Sequence, residues 1–345
     1  MARAAAALCR SLAARGHQVT VVTPRGEGVP AEEGRDGVRV LRVESAPLLD
    51  RYLVPWAPGA SRRLRALAEA ADLGHVHGHR SGLAVAAASA FAGAGLPYVL
   101  EPHGTYPDHG QRVVAKRVFD RLAGDRVVRL AAALVAKSAA EARDLPRPAQ
   151  VVPNGVAMPS ARAKGAPGAR LLFVGSDRPQ KRGLRLASLL RALPEASLDL
   201  VGPIGPGFRA RFERFGTRVG FRGVLSPPEL AAAYAAADLV VHPAVGEAFG
   251  LVPFEAALCG TPAVVAGDHG CGEWFGRAGG ATVRADDDAA LAAAVRDRLG
   301  DPARCRAEAA VVAAFAAREL TWEAAARGLE AVYALVAGPA RRGVA

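Results

Sequence analysis

From residue 18 onward, short runs of β-branched residues alternate with Ala-, Leu- and Arg-rich stretches of helical period, and this alternation leaves few folds open to the chain. Strands apolar on both faces, each followed by a helix, read as a parallel sheet covered by helices on either side. The strand candidates are 19–23, 38–43, 74–77, 97–101, 133–136 and 150–152 in the first half, then 170–174, 198–201, 218–221, 239–242, 262–266 and 281–283 in the second. That many strands over 345 residues fit two doubly wound sheets better than one. Between the two sets, Pro153-Asn154-Gly155 is a turn signal, and the stretch after it is polar with Pro159, Gly165, Pro167 and Gly168. The expected organisation is therefore a Rossmann-like domain over 1–156, a linker over 157–168, a second Rossmann-like domain over 169–320 and a closing helix over 321–337. In open α/β sheets ligands sit at the carboxyl ends of the strands, so two such domains facing each other would hold a ligand in the cleft between them.

Composition removes other classes. Hydrophobic residues make up 51% and charged residues 22%, spread along the whole chain, which excludes a disordered polymer. The longest uncharged run, 83–100, is broken by Gly93, Gly95 and Pro97 and reads as helix, turn and strand rather than a membrane span. The start has too few apolar residues for a signal sequence, so a cytoplasmic protein is expected. Cys9, Cys259, Cys271 and Cys305 show no paired spacing, which predicts buried, reduced thiols and no zinc ribbon. The net charge is +11, but only four of the 44 basic residues are Lys, the mark of an Arg-rich coding bias. No nucleic-acid-binding motif accompanies it, so no nucleic-acid partner is expected.

The most informative segment runs from Gly246-Glu247-Ala248-Phe249-Gly250-Leu251-Val252-Pro253-Phe254-Glu255 to Cys259-Gly260-Thr261-Pro262-Ala263-Val264-Val265. Gly246 and Gly250 allow a backbone to approach a ligand closely, and Pro253 suits the first turn of the helix that follows. Amides at that helix start would point at an anion. This segment resembles the signature of the retaining nucleotide-sugar glycosyltransferases of glycosyltransferase family 4, which have the GT-B fold: a Glu, seven residues, a second Glu, and a Gly-Thr-Pro strand. The resemblance implies that Glu247 touches hydroxyls of the donor sugar near the reacting carbon and that Glu255 binds the ribose. It also implies that the amides of Phe249, Gly250 and Leu251 meet the diphosphate. Ionised carboxylates are strong acceptors for paired hydroxyls, so the chemistry agrees.

Two further segments carry the resemblance. Phe173-Val174-Gly175-Ser176-Asp177-Arg178-Pro179-Gln180-Lys181-Arg182-Gly183 is a strand, a Gly turn and a basic cluster opening a helix, an electropositive setting for phosphate. The family has an Arg after the strand Gly; here Ser176 stands there and Arg178 is the candidate replacement. Lys181 and Arg182 compete for the family's Lys position, and spacing does not choose between them. The alternative is a solvated helix start, which the opposition of basic residues to the dipole disfavours. Glu101-Pro102-His103-Gly104-Thr105-Tyr106 resembles the active-site His loop, which makes His103 the first domain's member of the site; a structural His bonded to backbone is the competing view. Phe221-Arg222-Gly223 matches the loop that reads the base, placing Arg222 there, and Gly202-Pro203-Ile204-Gly205 matches a loop facing the nucleotide. Thr321-Trp322-Glu323 starts a helix similar to the family's last one, which returns to the first domain.

Two patterns resemble metal sites and are read otherwise. Period-2 spacing would put His75, His77 and His79 on one strand face, but Gly78 and Gly82 end the strand at His77. Asp286-Asp287-Asp288 precedes an Ala-rich helix and reads as a cap with first-turn acids. No metal and no cofactor are expected, with a nucleoside diphosphate sugar as co-substrate.

The resemblance implies transfer of a sugar to an acceptor hydroxyl with retention at the anomeric carbon, on a glycan or glycolipid acceptor in glycoconjugate biosynthesis. Fixed cations and amides would stabilise the charge growing on the diphosphate as the glycosidic bond breaks. The chain departs from the family at its start: residues 1–15 read as the first helix, so the family's opening strand and its Gly-rich loop are expected to be missing, with ladder groups left unpaired. Two alternatives follow, another GT-B sugar-nucleotide enzyme such as an epimerase, and a nucleotide-sugar-binding protein weakened by that loss. Residues 111–130 carry Arg112, Lys116, Arg117, Arg121, Arg126 and Arg129 among Val113, Val114, Val118, Phe119 and Leu122, which as a helix is either a solvated face or a basic amphipathic surface for peripheral contact with anionic lipid at the inner face of the membrane. The charge leans the same way, with 21 basic and 14 acidic side chains over 1–150 against 23 and 19 over the rest.

Overall fold

The computed structural model describes residues 2–44, 58–106, 113–157 and 168–337. They divide into two compact units, the first formed by Met1–Lys137, Glu141–Gly155 and Trp322–Ala345, the second by Ser138–Ala140 and Val156–Thr321. Of the expected linker, 158–167 lie outside the described residues.

In chain order the first part of the molecule runs α1 (Ala2–Ala14), β1 (Val19–Pro24), β2 (Glu32–Arg35), β3 (Val38–Val43), α2 (Pro58–Glu69), β4 (Gly74–His77), α3 (Gly82–Gly93), β5 (Tyr98–Glu101), α4 (Val113–Phe119), a π turn (Asp120–Gly124), α5 (Asp125–Leu130), β6 (Ala133–Ala136), α6 (Ala139–Asp144) and β7 (Gln150–Val151). The strands fall into two sheets, β1-β3-β2 and the all-parallel β4-β5-β6-β7. Neither β1 nor β4 has a second neighbour among the described residues. The first described element is α1, as expected from residues 1–15. β1, with one described neighbour, is half-buried or exposed along its six residues, whereas all four residues of β5 are buried. The α/β expectation did not include β2. Its Glu-Glu-Gly-Arg composition has no strand signal, yet Asp36-Gly37, both at positive φ, turns the chain into an antiparallel hairpin with β3.

The second part runs β8 (Arg170–Val174), α7 (Arg185–Ala192), β9 (Ser197–Val201), α8 (Pro206–Arg209), β10 (Val219–Gly223), α9 (Pro227–Ala236), β11 (Leu239–His242), α10 (Val252–Leu258), β12 (Ala263–Ala266), α11 (Gly270–Arg277), β13 (Ala281–Val283), α12 (Asp288–Leu299), α13 (Pro302–Glu319) and α14 (Trp322–Val336). Its six strands form one parallel sheet ordered β10-β9-β8-β11-β12-β13. Chain order runs outward from β8 in one direction and from β11 in the other, so the topological switch point lies between these two strands. Two apolar layers cover the sheet, one built on Phe173, Leu186, Leu190 and Leu200, the other on Tyr234, Phe254, Val265 and Phe275. Each of these fully buried side chains contributes on the order of 1.5 to 3 kcal/mol from removal of apolar surface. α14 packs on α1 in the first unit, where Leu8, Leu12, Ala326 and Leu329 share a cluster with Val99 and Val135.

Three local expectations resolve at this level. Asp287 caps α12, accepting from the Ala290 amide at 2.7 Å, and Asp288 pairs with Arg185, so the three-Asp run is a helix start. The four thiols are free, with Cys259, Cys271 and Cys305 buried and Cys9 half-buried. The stretch 113–130 is helical with a π turn at its centre, and Val114, Val118 and Leu122 point to solvent while Val127 and Val128 are buried. Gln111 and Arg112 lie outside the described residues.

Candidate functional site

In the second unit the expected residues converge at the carboxyl ends of β8, β9 and β11, on the switch point. After β8 the chain makes a 3-10 turn over Pro179–Lys181, and after β11 it runs through Gly246 to Glu247. The Val245 amide donates to the Gln180 carbonyl at 2.8 Å, which ties the two loops together. Across this tie the Lys181 ammonium donates to Glu247 Oε1. Of the two basic residues, it is Lys181 that reaches Glu247. Arg182, in the left-handed region at φ 47°, turns its guanidinium away and donates to the Ala285 carbonyl at 2.5 Å. Arg178 is exposed at the cap position of the same turn, and Gly175 and Ser176 form the turn out of β8.

Glu247 has a second partner that sequence reasoning missed. His242, the last residue of β11 and fully buried, places Nε2 2.9 Å from Glu247 Oε2. Burial would raise the Glu247 carboxyl, but His242 and Lys181 outweigh it and hold the group well below the usual carboxylate range. The carboxylate is therefore ionised and held by one contact to each oxygen, Lys181 at Oε1 and His242 at Oε2. Only Gly fits at 250: its φ is +75°, and a Cβ there would run into the Cys271 sulfur and Glu247 Oε2. Phe249 faces inward and stacks on Phe254 at 5.5 Å, so its ring anchors the loop and only its main chain is available to a ligand. Leu251 caps α10. Cys271 is buried behind Glu247, and burial pushes its thiol well above the usual range, an inert group.

Glu255, in the first turn of α10, accepts from the Tyr234 hydroxyl at 2.9 Å. Burial pushes the Tyr234 phenol well up, so it stays a donor. Arg222 makes a two-pronged pair with Asp199 at 3.0 and 3.1 Å on the surface, which engages its side chain and leaves the main chain of the 221–223 loop for any contact with a base. Gly202, at φ 131°, lies so close to Gly175 that a Cβ would overlap the Gly175 carbonyl oxygen; the β8 and β9 loops meet backbone to backbone.

The first unit holds its own polar cluster at the ends of β4, β5 and β6. His103 has φ 55°, one of three non-Gly residues at positive φ among those described, and Gly104 follows at φ 71°. Such a backbone costs on the order of 1 to 3 kcal/mol and persists where neighbours over-determine it. Here Glu101 is buried with Lys137 Nζ 2.7 Å from Oε1, and Oε2 lies 3.2 Å from His103 Nε2 and 3.3 Å from His77 Nδ1. Glu141 accepts from the amides of Gly104 and Lys137, fixing the turn from the other side. Burial works to raise the Glu101 carboxyl, but Lys137 first, then the two imidazoles, hold it well below the usual range. Burial lowers His103, against the pull of Glu101, so its ring is neutral near pH 7. His75 and His77 stack at 4.4 Å on one face of β4, as period 2 requires. His79 leaves that set, being past the strand end, fully buried, and 3.2 Å from the Thr105 hydroxyl. Glu101, Lys137 and Tyr333, 2.6 Å from His75, complete the cluster; alternation along β5 could have flagged Glu101, but nothing local marks Lys137 or Tyr333.

Two family models divide the chain between them. Residues 1–158 match the model described as Glycosyltransferase Family 4, and residues 157–301 match Glycosyl transferases group 1. A D-inositol 3-phosphate glycosyltransferase of Kineococcus radiotolerans is 32% identical over 94% of this chain and 88% of its own length, and one of Thermomonospora curvata is 33% identical over the same shares. Among solved structures, the sucrose-phosphate synthase of Thermosynechococcus elongatus superposes with a TM-score of 0.76 at 23% identity, covering 95% of this chain and 91% of that one. Anabaena HepE in complex with UDP-glucose gives 0.75 at 20% identity, covering 96% of both chains, a likeness of fold.

Proposed function

Since the chain belongs to glycosyltransferase family 4 and is a retaining glycosyltransferase that uses a nucleotide sugar, we propose that its donor is a UDP-sugar held on the second unit and that its acceptor is a small polyol phosphate, with D-inositol 3-phosphate the first to test. The observation that carries the donor reading is the Lys181–Glu247 pair at the switch point. Without ligand the ammonium neutralises the carboxylate. With donor bound, Lys181 moves to the diphosphate and Glu247, still braced by His242, accepts from hydroxyls of the sugar. As the glycosidic bond breaks, charge grows on the leaving diphosphate, and Lys181 with the amides of Phe249, Gly250 and Leu251 stabilises it. Gly175 and Ser176 admit the diphosphate closely, Arg178 adds an exposed cation beside it, and Arg182 holds the turn that presents Lys181. Glu255 takes the ribose hydroxyls, and the Arg222 loop receives the base through main chain. His103 is the first unit's contribution, a neutral imidazole set beside the sugar. None of these roles routes the transfer through a metal ion. The acceptor assignment rests on the names of the curated relatives, with the first unit as the acceptor domain.

A second acceptor reading has its own observation. Val114 and Leu122 are 76% and 81% exposed on the helical stretch that also presents Arg121, Arg126 and Arg129, a surface fit for an anionic lipid layer and hence for a glycolipid acceptor at the inner membrane face. No helix among the described residues is long and apolar enough to cross a membrane.

A matrix of UDP- and other nucleotide sugars against inositol phosphate, free sugars and lipid-vesicle acceptors tests both. UDP-sugar turnover on inositol phosphate supports the first reading; turnover on vesicle-borne acceptor alone replaces it with the second. Glu247→Ala should lower kcat by about 10²- to 10³-fold in a chain that still folds; wild-type turnover in that variant would remove the site assignment.

A further inference from the structure

We propose that the first unit carries a zinc site formed by His75 Nε2, His77 Nδ1, His103 Nε2 and Glu101 Oε2. Three imidazole nitrogens and one carboxylate oxygen are a borderline-soft set of the kind that binds Zn²⁺ in tetrahedral geometry. Bonds of about 2.0 to 2.2 Å at tetrahedral angles place neighbouring ligand atoms about 3.3 to 3.5 Å apart. Here Glu101 Oε2 lies 3.3 Å from His77 Nδ1 and 3.2 Å from His103 Nε2, and the two nitrogens are 2.9 Å apart. His75 Nε2 stands 3.7 Å from the other Glu101 oxygen, and the ligating atoms of His75, His77 and Glu101 all lie within 4.8 Å of one another. A small movement of the His75 ring closes the set.

The hydrogen-bonding pattern separates this from an ordinary polar cluster. Glu101 is fully buried, yet its Oε2 has no hydrogen-bond partner, while the two ring nitrogens 3.2 and 3.3 Å from it are paired with each other at 2.9 Å. His75 Nε2 is likewise buried and without a partner. Buried polar atoms left without partners cost on the order of 1 to 3 kcal/mol each, and a cation between Glu101 Oε2 and His75 Nε2 would satisfy both. The outer contacts are those that metal ligands require. His75 Nδ1 lies 2.6 Å from the Tyr333 hydroxyl, and with its N–H donated there Nε2 would carry the lone pair; Lys137 takes Glu101 Oε1 at 2.7 Å, leaving Oε2 for the metal. Glu141, bonded to the Lys137 amide, offsets the ammonium's charge. The metal would join the end of β4, a strand with one neighbour among the described residues, to the end of β5, and would fix the left-handed turn at His103. The role is structural: in the metal-bound chain His103 serves as a ligand in place of the free imidazole beside the sugar, and the diphosphate chemistry of the second unit stays as described.

The test is metal binding by the full chain, read without donor or acceptor, so its failure leaves the transfer assay untouched. The chain is stripped with a chelator and titrated with Zn²⁺ against a chromophoric competitor, and separately with Co²⁺. The proposal expects one metal per chain and tetrahedral Co²⁺ bands in the visible with no thiolate charge-transfer band. It expects binding at least about 100-fold weaker in His75→Ala and about 10-fold weaker in Tyr333→Phe. Absence of tetrahedral bands in the wild-type chain overturns it, and that reading needs no variant to fold. A thiolate band also overturns it, since it assigns the metal to the His242, Glu247 and Cys271 group of the second unit. Equal affinity in wild type and His75→Ala does the same.

Discussion

The two units solve one problem, an open parallel sheet with a polar cluster at its carboxyl edge, with unequal completeness. In the second unit β8 and β11 lie side by side at the centre of an unbroken six-stranded sheet, and the Lys181–Glu247 pair stands on that junction. In the first unit, among the described residues, β1 pairs only with β3 and β4 only with β5, so that cluster stands partly on a strand with one described neighbour. The difference shows in burial: β11 is buried throughout, while His75 and His77 of β4 keep partial exposure. A site on a continuous sheet is positioned by the ladder itself. A site on an interrupted one needs side-chain ties, and Glu101, Lys137, Glu141 and Tyr333 supply them.

The largest effect that bears on this contrast is a backbone collision in the second unit. If its site is positioned by the ladder, Gly202→Ala must push the β8 and β9 loops apart, because the new Cβ would overlap the Gly175 carbonyl and the φ of 131° excludes L side chains. The expected cost is on the order of 3 to 5 kcal/mol, a fall of roughly 10 °C or more in Tm. Donor affinity should be lost at temperatures where the variant is still folded. A variant with wild-type Tm and donor binding would show that the two loops have room to part, and the continuous-sheet account would fail.

A smaller effect compares the sheets directly. Hydrogen exchange should find the β4 amides that face away from β5 and the β1 amides that face away from β3 exchanging at least about 10²-fold faster than those of β8 and β11, which have neighbours on both sides. Equal protection in the four strands would mean that the edges of β1 and β4 are covered in solution, and the contrast would dissolve.

Sequence pattern carried much of this. Each strand expected in either half is present, within a residue or two at its ends, because β-branched runs between helical stretches leave no other reading. The Lys181 and Glu247 positions were legible from their Gly-rich surroundings. Which of Lys181 and Arg182 pairs with Glu247 was not, since it depends on the left-handed φ of Arg182, whose side chain bonds to Ala285 instead. His242 was read only as the last residue of an apolar strand, and its role appears once the chain returns five residues later with Glu247. The first unit's cluster joins residues 36 and more than 200 positions apart, such as Glu101 with Lys137 and His75 with Tyr333, and no local pattern records such pairs. β2 was lost for the opposite reason: an exposed edge strand has no apolar period to detect.

The smallest effect concerns what the first unit uses in place of a continuous sheet. α14 lies on α1, and Glu330 accepts from Arg15 at 2.7 Å through both oxygens and sits 3.0 Å from His17. Arg15 foremost holds the Glu330 carboxyl down to about 2. A carboxyl whose folded value is depressed contributes stability above its unfolded value of about 4.3, and that contribution is lost as pH falls from there toward 2. The pair is near the surface, so its worth is at most about 1 kcal/mol. Glu330→Gln should therefore melt roughly 1 to 3 °C below wild type at pH 7, and the gap should shrink by about half by pH 3 and close toward pH 2 as the wild-type carboxyl loses its advantage. A gap that is absent at pH 7 would show that α14 is held by Leu329 and Ala326 alone, with the charges incidental to it. A gap that persists unchanged at pH 3 would assign the loss to the shape of the side chain rather than its charge.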